Sequence, residues 1–505
     1  MKPIKELLLP NELLASKISG DVCVKGICAS SLSLTSGDAF FALPGAKRDG
    51  HSFLNEAAKK GAAALIVDQH EHFDKFSNAI LVRSSRKAFA LAACRWFDEP
   101  TKKLSLVGLT GTNGKTTSAY LLGSIWERVG LVSGYIGTIE YRLGREVRLS
   151  KLTTPDALEL QSLFCEMLTA NVTHAVLEVS SHALAQERVT GSDFEVVLFT
   201  NLTQDHLDYH HTLDEYYLSK RKLFLEHNSR HCVINADDPW GKRLATEVPF
   251  GKQISFSLKD PATDFYVLRS SFGKEGTQAQ IHTPLGELSL TTPLIGRHNL
   301  YNCLGVLAVT HALGHHLGHA AEALAVAAGA PGRLERVIEL PNASHVFVDY
   351  AHTPDALFNV LTSLNDLRDK STGRIITVFG CGGDRDRTKR PQMAKIASSL
   401  SDITIATSDN PRTEDPEKIL DDIEIGIQRS RTLYLRETRR DRAIQLALSL
   451  AKPEDIVLVA GKGHETHQII GTMRLPFDDR AVIREYYGSS VLKGASRLSG
   501  PAQGS

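Results

Sequence analysis

Eight short apolar runs, most of them followed at once by a polar cluster, constrain the fold of this chain more than any other feature. The runs are rich in Val and Ile and bounded by Gly, Asp or Asn, which is typical of buried strands. They lie at 104–109, 174–179, 196–199, 231–235, 345–350, 374–380, 402–407 and 455–461. Helical 3/4 spacing occurs between them, so the alternation predicts an α/β protein with parallel sheets covered by helices on both faces.

The polar clusters come directly after the strands, where ligands bind in open α/β sheets. They read TGTNGKTT, SSH, TNLTQDH, DYAHTPD, GCGGDRDR, SDNPR and GKGHE. Their number predicts two sheets that face one cleft.

The length of 505 residues indicates about three domains at roughly 150 residues each. We place the boundaries near DEPTKK at residue 100 and near GAPGR at residue 331. This predicts a smaller N-terminal α/β domain (1–100), a central P-loop-type domain (101–331) and a C-terminal Rossmann-like domain (332–487). We expect the tail 488–505 to be disordered, because it is rich in Gly and Ser.

Composition excludes several classes of protein. The formal net charge is zero, which argues against a nucleic-acid or membrane-surface footprint. Seven scattered cysteines form no C-x₂-C pair, as is usual in a reducing compartment. No stretch approaches 18 apolar residues, so no membrane span is predicted. We expect a cytoplasmic protein, monomeric and acting on small molecules.

The stretch Gly111-Thr112-Asn113-Gly114-Lys115-Thr116-Thr117 follows a strand and precedes a helical run. In a P-loop, Lys115 would reach the β- and γ-phosphates and Thr116 would offer its hydroxyl to Mg²⁺. The strict pattern needs Gly five positions before Gly114, where this chain has Leu109, so the match is a variant. The alternative is a glycine-rich turn that only caps a buried helix.

Glu178 and His206 each come shortly after a Val-rich strand, and we predict that both face Mg²⁺ near Thr116. Alone, either residue would be an ordinary polar group at a strand end. Nearby, KLTTPD predicts a helix start with Thr154 as N-cap and Pro155 in the first position.

Ten motifs in order resemble the Mur ligase family, over roughly residues 20–487. They are GTNGKTT, TTPD, EVSSHALAQERV, NLTQDHLDYH, GRHNLYN, GRLER, DYAHTPD, CGGDRDRTKRP, SDNPRTEDP and GKGHET. The resemblance implies an ATP- and Mg²⁺-dependent ligase. It would add meso-2,6-diaminopimelate to UDP-N-acetylmuramoyl-L-alanyl-D-glutamate, in peptidoglycan precursor synthesis. A substrate carboxylate would form an acyl phosphate, which an amine then attacks.

The resemblance also assigns residues to roles. Those implied to act in catalysis or metal binding are Lys115, Thr116, Glu178, His206 and Lys220, the last as a carbamate that binds a second Mg²⁺. Asn299, Arg333 and Asp349 would join the P-loop in contacting ATP. Those implied to hold the UDP substrate are Ser31, Ala46, Lys47, Arg48, Thr153, Thr154, Ser180, Gln186 and Arg188. The family's usual Asp-Ser-Arg stretch is Ser30-Ser31-Leu32 here, so its arginine is absent.

The motif SDNPR points to the identity of the amine. Arg412 can hold a carboxylate with a two-point fork, and Asp409 can face an ammonium. Diaminopimelate presents both groups at its distal end, whereas L-lysine lacks that carboxylate. The resemblance adds further contacts to the same head, namely Arg390, Asn410, Pro411, Gly461 and Glu465.

Other functions remain open at this point. A ligase that adds L-lysine, or a folylpolyglutamate-synthetase-type ligase, would share the fold and the chemistry. A P-loop NTPase of another class would explain Lys115 and Thr116 but not the C-terminal motifs.

Overall fold

The computed structural model confirms the α/β architecture, and all eight predicted strands are present. It describes the chain except for residues 19, 46–47, 339–343, 369–372, 430 and 499–505. Three sheets of five, eleven and six strands follow one another along the chain, one in each predicted domain.

The N-terminal domain is built on the five-stranded sheet, in the order β2-β7-β6-β5-β4. Strands β4 to β7 are parallel, and β2 runs antiparallel to β7. The strands are β1 Lys2–Pro3, β2 Leu13–Ser16, β3 Cys23–Val24, β4 Ile27–Cys28, β5 Ala39–Phe41, β6 Ala64–Val67 and β7 Ala79–Val82. The helices are α1 Ile4–Leu7, α2 Leu54–Lys59, α3 His70–Lys75 and α4 Ser85–Trp96.

The central domain carries the eleven-stranded sheet, in the order β11-β10-β9-β12-β8-β13-β14-β15-β16-β17-β18. The strands are β8 Ser105–Thr110, β9 Ser133–Ile136, β10 Glu140–Leu143, β11 Glu146–Leu149, β12 His174–Glu178, β13 Phe194–Phe199, β14 Ser229–Asn235, β15 Gln253–Ser257, β16 Phe265–Gly273, β17 Gly276–Thr283 and β18 Gly286–Thr292. The helices are α5 Lys115–Arg128, α6 Ala157–Thr169, α7 Ser181–Ala185, α8 Leu207–His210, α9 Leu213–Leu225, α10 Pro239–Glu247, α11 Arg297–Ala312 and α12 Leu317–Leu324.

Buried side chains cover both faces of this sheet. Helices α5, α11 and α12 pack on one face, and α6, α9 and α10 pack on the other. The start of α6 also joins the core of the N-terminal domain, because Ala157 is buried there and α4 packs against α6.

The register of the parallel strands brings three loops together. Glu178 at the end of β12 pairs with Leu109 of β8, and Phe199 of β13 pairs with Thr110. The glycine-rich loop, the SSH loop and the loop after β13 therefore leave the same edge of the sheet side by side.

The C-terminal domain has the six-stranded sheet, in the order β19-β20-β24-β21-β22-β23. The strands are β19 Glu335–Ile338, β20 His345–Asp349, β21 Ile375–Cys381, β22 Ile403–Ser408, β23 Leu433–Arg436 and β24 Ile456–Ala460, with a hairpin of β25 His467–Ile470 and β26 Met473–Pro476. The helices are α13 Pro354–Leu367, α14 Lys389–Leu400, α15 Pro416–Glu424, α16 Arg440–Leu450 and α17 Asp479–Leu498.

Register again gathers the predicted loops. Asp349 pairs with Ala460 and Cys381 pairs with Ser408, so the four strands end at one edge. The loops DYAHTPD, GKGHE, GCGGDRDR and SDNPR all follow these ends, as the sequence predicted.

The tail differs from expectation. Helix α17 runs from Asp479 through Gly488 to Leu498, where the sequence predicted a disordered tail from residue 488. Ile483 is fully buried in the core of the C-terminal domain, which anchors the start of the helix. Within the described residues, no helix has the length and apolar content needed to cross a bilayer.

Candidate active site

The glycine-rich loop has the conformation of a phosphate cradle. Gly111 has φ +149° and Gly114 has φ +91°, values that favour glycine. A Cβ on Gly111 would lie 1.9 Å from Thr200 Oγ1, and one on Gly114 would lie 2.4 Å from Asn302 Oδ1. The loop leads directly into α5, so the positive end of the helix dipole faces the same place.

Lys115 folds back over this loop. Its Nζ donates to the carbonyl oxygens of Gly111 at 2.8 Å and Thr112 at 2.9 Å. Burial lowers the pKa of the Lys115 ammonium. The backbone N–H of Asn113 donates to Asn201 Oδ1 at 2.9 Å, which ties the cradle to the loop after β13.

Glu178 is a fully buried carboxylate beside the cradle. It accepts hydrogen bonds from Thr116 Oγ1 at 3.1 Å, from Thr138 Oγ1 at 3.0 Å and from the Tyr135 hydroxyl. No ion pair to Glu178 occurs among the residues that the structure describes. Sequence reasoning missed Tyr135 and Thr138, which come from β9 and the turn after it.

His206 lies at the mouth of this pocket with an unusual backbone. Its φ of +54° is rarely adopted by residues other than glycine, and such strain is typical of functional sites. Burial lowers the pKa of the imidazole to about 4, so the ring is neutral and able to act as a ligand at neutral pH. Its Nε2 lies 3.4 Å from Asp205 Oδ2.

Lys220 reaches the cradle from α9 and is 1% exposed. Its Nζ donates to Gly111 O at 2.8 Å and lies 4.5 Å from the centre of the Tyr216 ring. Burial, reinforced by the charge of Lys115, holds the pKa of Lys220 well below its usual range. The amine of Lys220 is thus driven toward its neutral, nucleophilic form.

The residues around the cradle fit a Mg²⁺ ion. The Thr116 hydroxyl lies next to the Glu178 carboxylate, and both offer the hard oxygen ligands that Mg²⁺ prefers. The buried carboxylate, which has no ion-pair partner among the described residues, also supplies a negative charge for the cation. No group of three or more His, Cys, Asp or Glu side chains arranged for a metal occurs in the described part of the chain. Mg²⁺ usually binds one or two protein ligands together with phosphate oxygens and water.

Three adjoining cavities run across the site. The large cavity, of about 860 Å³, lies between α11, β15 and the start of α13. The middle cavity, of about 170 Å³, contains Lys115, Thr116, Glu178 and Lys220. The outer cavity, of about 380 Å³, lies among the C-terminal loops.

The large cavity begins at Asn113, Gly114 and Thr117 of the cradle and is lined also by Asn299, Arg333 and Asp349. All three predicted ATP contacts from outside the cradle therefore lie together. Asn299 is buried and donates to Ile295 O at 2.9 Å. Burial raises the pKa of Asp349 to about 6, while its Oδ1 accepts the Ala351 N–H at 2.7 Å.

The C-terminal domain contacts the cradle directly. Arg333 Nη2 lies 3.4 Å from Thr116 Oγ1, and its guanidinium stacks on the Tyr350 ring at 4.6 Å. Asn113 Nδ2 donates to Asp355 Oδ2 at 2.9 Å. Asp355, the last residue of DYAHTPD, is a contact that the sequence analysis did not assign.

The middle and outer cavities share a wall made of Asp205, His206, Tyr350 and His352. A group bound in one cavity is therefore adjacent to a group bound in the other. This shared wall is the place where two substrates can meet.

Asp409, Asn410 and Glu465 form the far side of the outer cavity around one buried cation. Lys462 Nζ contacts Glu465 Oε2 at 2.9 Å, Asn410 Oδ1 at 3.0 Å and Asp409 Oδ1 at 3.4 Å. Lys462 itself is fully buried. Sequence reasoning quoted its motif but missed this lysine, which orients three predicted binding residues.

Arg412 also lines the outer cavity, with φ +51° and its Nη1 donating to Gly383 O at 2.7 Å. Burial lowers the pKa of its guanidinium. Gly461 lies opposite with φ +118°. Pro411, between two lining residues, does not itself line the cavity, and its carbonyl accepts the Glu414 N–H at 3.1 Å.

Arg390 does not join this group. It is fully buried, and its Nη atoms contact Glu414 Oε1 at 2.9 Å and Asp422 Oδ2 at 2.8 Å. Arg390 Nη2 also donates to Gly382 O at 3.2 Å. Arg390 is thus held directly behind Gly382, which lines the outer cavity, and its contact with the substrate stays a prediction.

A second polar cluster adjoins the middle cavity, which Thr153 and Ser180 line. Thr154 Oγ1 donates to Glu178 O at 2.8 Å and accepts the Ser180 N–H at 3.1 Å. Arg188 donates to Thr154 O at 2.7 Å and to Gln186 Oε1 at 2.8 Å. The five predicted UDP-substrate residues of the central domain thus lie together.

The predicted N-cap of α6 is wrong. Asp156 caps the helix, and its Oδ1 accepts the N–H groups of Leu158 and Glu159 at 3.0 Å. Thr154 is unavailable for this task because its hydroxyl is already bonded to Glu178 O and Ser180.

The remaining predicted contacts belong to the N-terminal domain. Ser31 is buried, and its carbonyl accepts Lys60 Nζ at 2.6 Å, whereas Arg48 is exposed. Neither lines the three cavities above. Ala46 and Lys47 lie outside the described residues.

Comparison with known proteins accounts for this arrangement. Models described as the Mur ligase family catalytic domain, the Mur ligase middle domain and the Mur ligase glutamate ligase domain match residues 24–93, 109–310 and 332–463. The chain belongs to the Mur ligase family. The three matches fall within the three domains seen in this Mur ligase.

Two relatives illustrate the similarity. Both carry the name UDP-N-acetylmuramoyl-L-alanyl-D-glutamate--2,6-diaminopimelate ligase. The Gloeobacter violaceus protein is 44% identical over 467 residues, covering 92% of this chain and 94% of its own. The Listeria innocua protein is 40% identical over 491 residues, covering 95% and 98%. A solved structure with the same name has a TM-score of 0.70 and 32% identity, and covers 97% of this Mur ligase and 100% of its own chain.

Proposed function

We propose that this Mur ligase joins meso-2,6-diaminopimelate to UDP-N-acetylmuramoyl-L-alanyl-D-glutamate at the expense of ATP. The observation that carries the proposal is the chain of three adjoining cavities. ATP occupies the large cavity, the reacting carboxylate the middle one, and the amino acid the outer one. Two relatives that match over most of their length carry the name of a ligase for these substrates, which supports the proposal.

In the first step, the terminal carboxylate of the D-glutamyl residue attacks the γ-phosphorus of ATP. A carbon-bound oxygen forms a bond to phosphorus, the bridging P–O bond breaks, and ADP leaves. Lys115 and the N-terminus of α5 offset the repulsion between the carboxylate and the triphosphate. Arg333 approaches the same point from the C-terminal domain.

In the second step, the amine attacks the acyl carbon across the shared wall. The tetrahedral adduct loses inorganic phosphate, and the nitrogen loses a proton as the amide forms. His352 can accept that proton and pass it on, because burial lowers the pKa of its imidazole and leaves the ring neutral beforehand. Its Nδ1 lies 2.9 Å from Tyr350 O, which leaves Nε2 free as an acceptor.

Mg²⁺, bound by Thr116, Glu178 and His206, would neutralise phosphate charge as it transfers. Lys220 is suited to carbamylation, in which its neutral amine forms an N–C bond to carbon dioxide and releases a proton. The product is an anion that can hold a second Mg²⁺. Its burial and its low pKa both favour this reaction.

We assign the amine on the charges of the outer cavity. Arg412 would bind the distal carboxylate of diaminopimelate, while Asp409 and Glu465 would face its distal ammonium. L-lysine lacks that carboxylate and would leave Arg412 unpaired. The UDP substrate would lie along Thr153, Thr154, Ser180, Gln186 and Arg188 toward the N-terminal domain. We also propose a cytoplasmic location, because these substrates are water-soluble and the seven cysteines are free thiols.

The direct test is a mass-spectrometric product assay. The purified enzyme receives the UDP-muramoyl dipeptide, ATP, Mg²⁺ and equal concentrations of diaminopimelate and L-lysine. We expect the diaminopimelate adduct almost exclusively, with one ADP per amide. ADP release without any new amide would contradict the proposal and favour an NTPase, while a dominant lysine adduct would reassign the outer cavity.

Arg412→Ala tests the specificity argument. Loss of a charged hydrogen bond should raise KM for diaminopimelate by about 10- to 100-fold. KM for the UDP substrate should stay within about twofold, as it should for the matched control Arg429→Ala, whose side chain is 68% exposed. An unchanged KM for diaminopimelate would remove Arg412 from the binding site.

A further inference from the structure

The Glu178 carboxylate carries a full set of hydrogen bonds. Its Oε1 accepts the Tyr135 hydroxyl and the Thr138 N–H, the latter at 3.2 Å. Its Oε2 accepts the hydroxyls of Thr116 at 3.1 Å and Thr138 at 3.0 Å. Because a carboxylate has about four lone-pair positions, Glu178 can bind a metal ion only if one of these donors leaves.

The geometry identifies the donor that can leave. A hydroxyl turns about one C–O bond, whereas a backbone N–H cannot turn by itself. Oε2 of Glu178 lies beside Thr116, the other predicted ligand, and both donors to this oxygen are hydroxyls. Of these two hydroxyls, Thr138 has a second acceptor within reach, because its Oγ1 lies 3.1 Å from Thr153 Oγ1.

Each threonine hydroxyl has a single hydrogen, which sets the direction of the Thr138–Thr153 contact. While Thr138 donates to Glu178, Thr153 must be the donor to Thr138. Once Thr138 releases Glu178, it can donate to Thr153 instead, and the hydrogen of Thr153 is free for another acceptor. Both threonines line the middle cavity, so the freed hydrogen can reach a substrate oxygen there.

We propose that Thr138 is a positioning residue that couples the metal site at Glu178 to the site of the UDP substrate at Thr153. The inference rests on the proposed function, because it takes Mg²⁺ and the UDP-muramoyl dipeptide as the two ligands. When Glu178 binds the metal, the Thr138 hydroxyl turns to Thr153, and Thr153 donates to an oxygen of the UDP substrate. Each ligand therefore strengthens the binding of the other by the same factor.

Isothermal titration calorimetry tests this coupling without turnover. Kd for the UDP-muramoyl dipeptide is measured with saturating ADP, once with Mg²⁺ and once with EDTA, and the ratio of the two values is the coupling factor. The proteins are wild type, Thr138→Val, Thr138→Ser and Thr169→Val. Thr169 is exposed at the end of α6 and serves as the matched control.

We expect the coupling factor of Thr138→Val to lie roughly tenfold below that of wild type, the effect of one hydrogen bond to a charged group. The effect of Mg²⁺ on the charge of ADP is common to all the proteins and cancels in this comparison. Thr138→Ser keeps the hydroxyl and should retain most of the coupling. Thr169→Val should stay within about twofold of wild type, as a distant site does.

The affinity for the metal separates coupling from simple support of Glu178. Titration of Mg²⁺ into the ADP complex, without the UDP substrate, gives this affinity. Thr138→Val should bind Mg²⁺ at least as tightly as wild type, because the variant removes a donor that competes for Glu178. A hydroxyl that only orients the carboxylate would make the variant bind Mg²⁺ more weakly.

A second background tests the route through Thr153. Thr153→Val should lose the same coupling as Thr138→Val, because the hydroxyl that reaches the substrate is gone. Adding Thr138→Val to Thr153→Val should then change the coupling factor by less than about twofold, since the two side chains act in one path.

Two results would overturn the inference. An equal coupling factor in wild type and Thr138→Val would mean that no coupling passes through this hydroxyl. Weaker Mg²⁺ binding by Thr138→Val, with additive losses of coupling in the double variant, would mean that Thr138 only supports Glu178. Failure of the proposed function looks different, because the wild-type protein would then bind no UDP-muramoyl dipeptide, with or without Mg²⁺.

Discussion

Two lysines in different domains are almost completely removed from solvent, but their surroundings differ in kind. Lys220 of the central domain is 1% exposed and Lys462 of the C-terminal domain is 0% exposed. Both lie within the site, on either side of the shared wall. What separates them is the set of groups that each ammonium meets.

Lys220 meets no carboxylate within bonding distance among the described residues. Its Nζ donates to Gly111 O, and Lys115 Nζ donates to the same carbonyl. Burial, and then the charge of Lys115 at the same carbonyl, lower the pKa of Lys220.

Lys462 meets Asp409, Asn410 and Glu465, which use its three N–H groups. Such a buried cation is held by charge and hydrogen bonds together. The comparison teaches that burial alone does not assign a role to a lysine. An unpaired one is suited to chemistry, and a fully paired one is suited to orienting its neighbours.

The largest expected effect is on Lys220. Lys220→Ala removes the side chain that would become the carbamate, and kcat should fall by about 100- to 1,000-fold, as for loss of a group that stabilises transition-state charge. Lys220→Arg should fall equally, since a guanidinium keeps its charge and does not react with carbon dioxide. Initial rates and thermal unfolding are measured on the same samples.

Lys242→Ala, at an exposed position on α10, is the control. Intact-mass analysis and buffers freed of bicarbonate test the modification itself. If wild-type activity is the same with and without carbon dioxide, and Lys220→Arg is fully active, then Lys220 differs from Lys462 only in its partners and not in its chemistry.

Lys462→Met should act on folding as well as on binding. It leaves Asp409 and Glu465 close together without their cation, which costs about 3 kcal/mol in similar buried pairs. We expect Tm to fall by roughly 6 to 12 °C. KM for diaminopimelate should also rise, because Asn410 and Glu465 lose the group that orients them.

Lys452→Met is the matched control, at an exposed position just before β24. A second variant, Lys462→Met with Asp409→Asn, removes one of the two stranded charges. Recovery of part of the lost Tm would support the explanation by charge. A Tm for Lys462→Met equal to wild type would mean that the two carboxylates do not need this cation.

The sequence predicted the region of Lys220 better than that of Lys462. The cradle is one contiguous stretch after β8; Glu178 ends β12 and His206 follows β13, the two strands that flank β8. Parallel register then brings these loops together, so local patterns suffice. What no pattern reveals is the support of Glu178 by Tyr135 and Thr138, because those contacts depend on how β9 lies beside β12.

In the C-terminal region the decisive contacts are long-range. Arg390 is bonded to Glu414, 24 residues further on, and to Asp422, 32 residues further on, and it does not itself line the outer cavity. Nothing in CGGDRDRTKRP distinguishes it from Lys389, which does line that cavity. The predicted N-cap of α6 was wrong for the same reason, because the Thr154 hydroxyl donates to Glu178 O, 24 residues away. Residue type and spacing locate such a site, but competing partners decide each role.

The smallest expected effect comes from removing one of the two carboxylate charges around Lys462. Glu465→Gln keeps an oxygen that can accept from Lys462 and Asn410, which lie at 2.9 and 3.0 Å from Glu465 Oε2. Lys462 also keeps Asp409 at 3.4 Å. The loss in unfolding free energy should therefore be about 1 kcal/mol, seen as a small fall in Tm. KM for diaminopimelate should rise by less than about tenfold, since one of two carboxylates facing its ammonium remains.

The fall in Tm of Glu465→Gln, compared with that of Lys462→Met, shows which residue controls the stability of this cluster. If Lys462 is the common partner of both carboxylates, its removal must lower Tm more than the removal of either carboxylate, because two contacts are lost instead of one. Equal falls in Tm for Glu465→Gln and Lys462→Met would place the controlling charge on Glu465. Lys462 would then be buried for the same reason as Lys220, without a partner that fully compensates it.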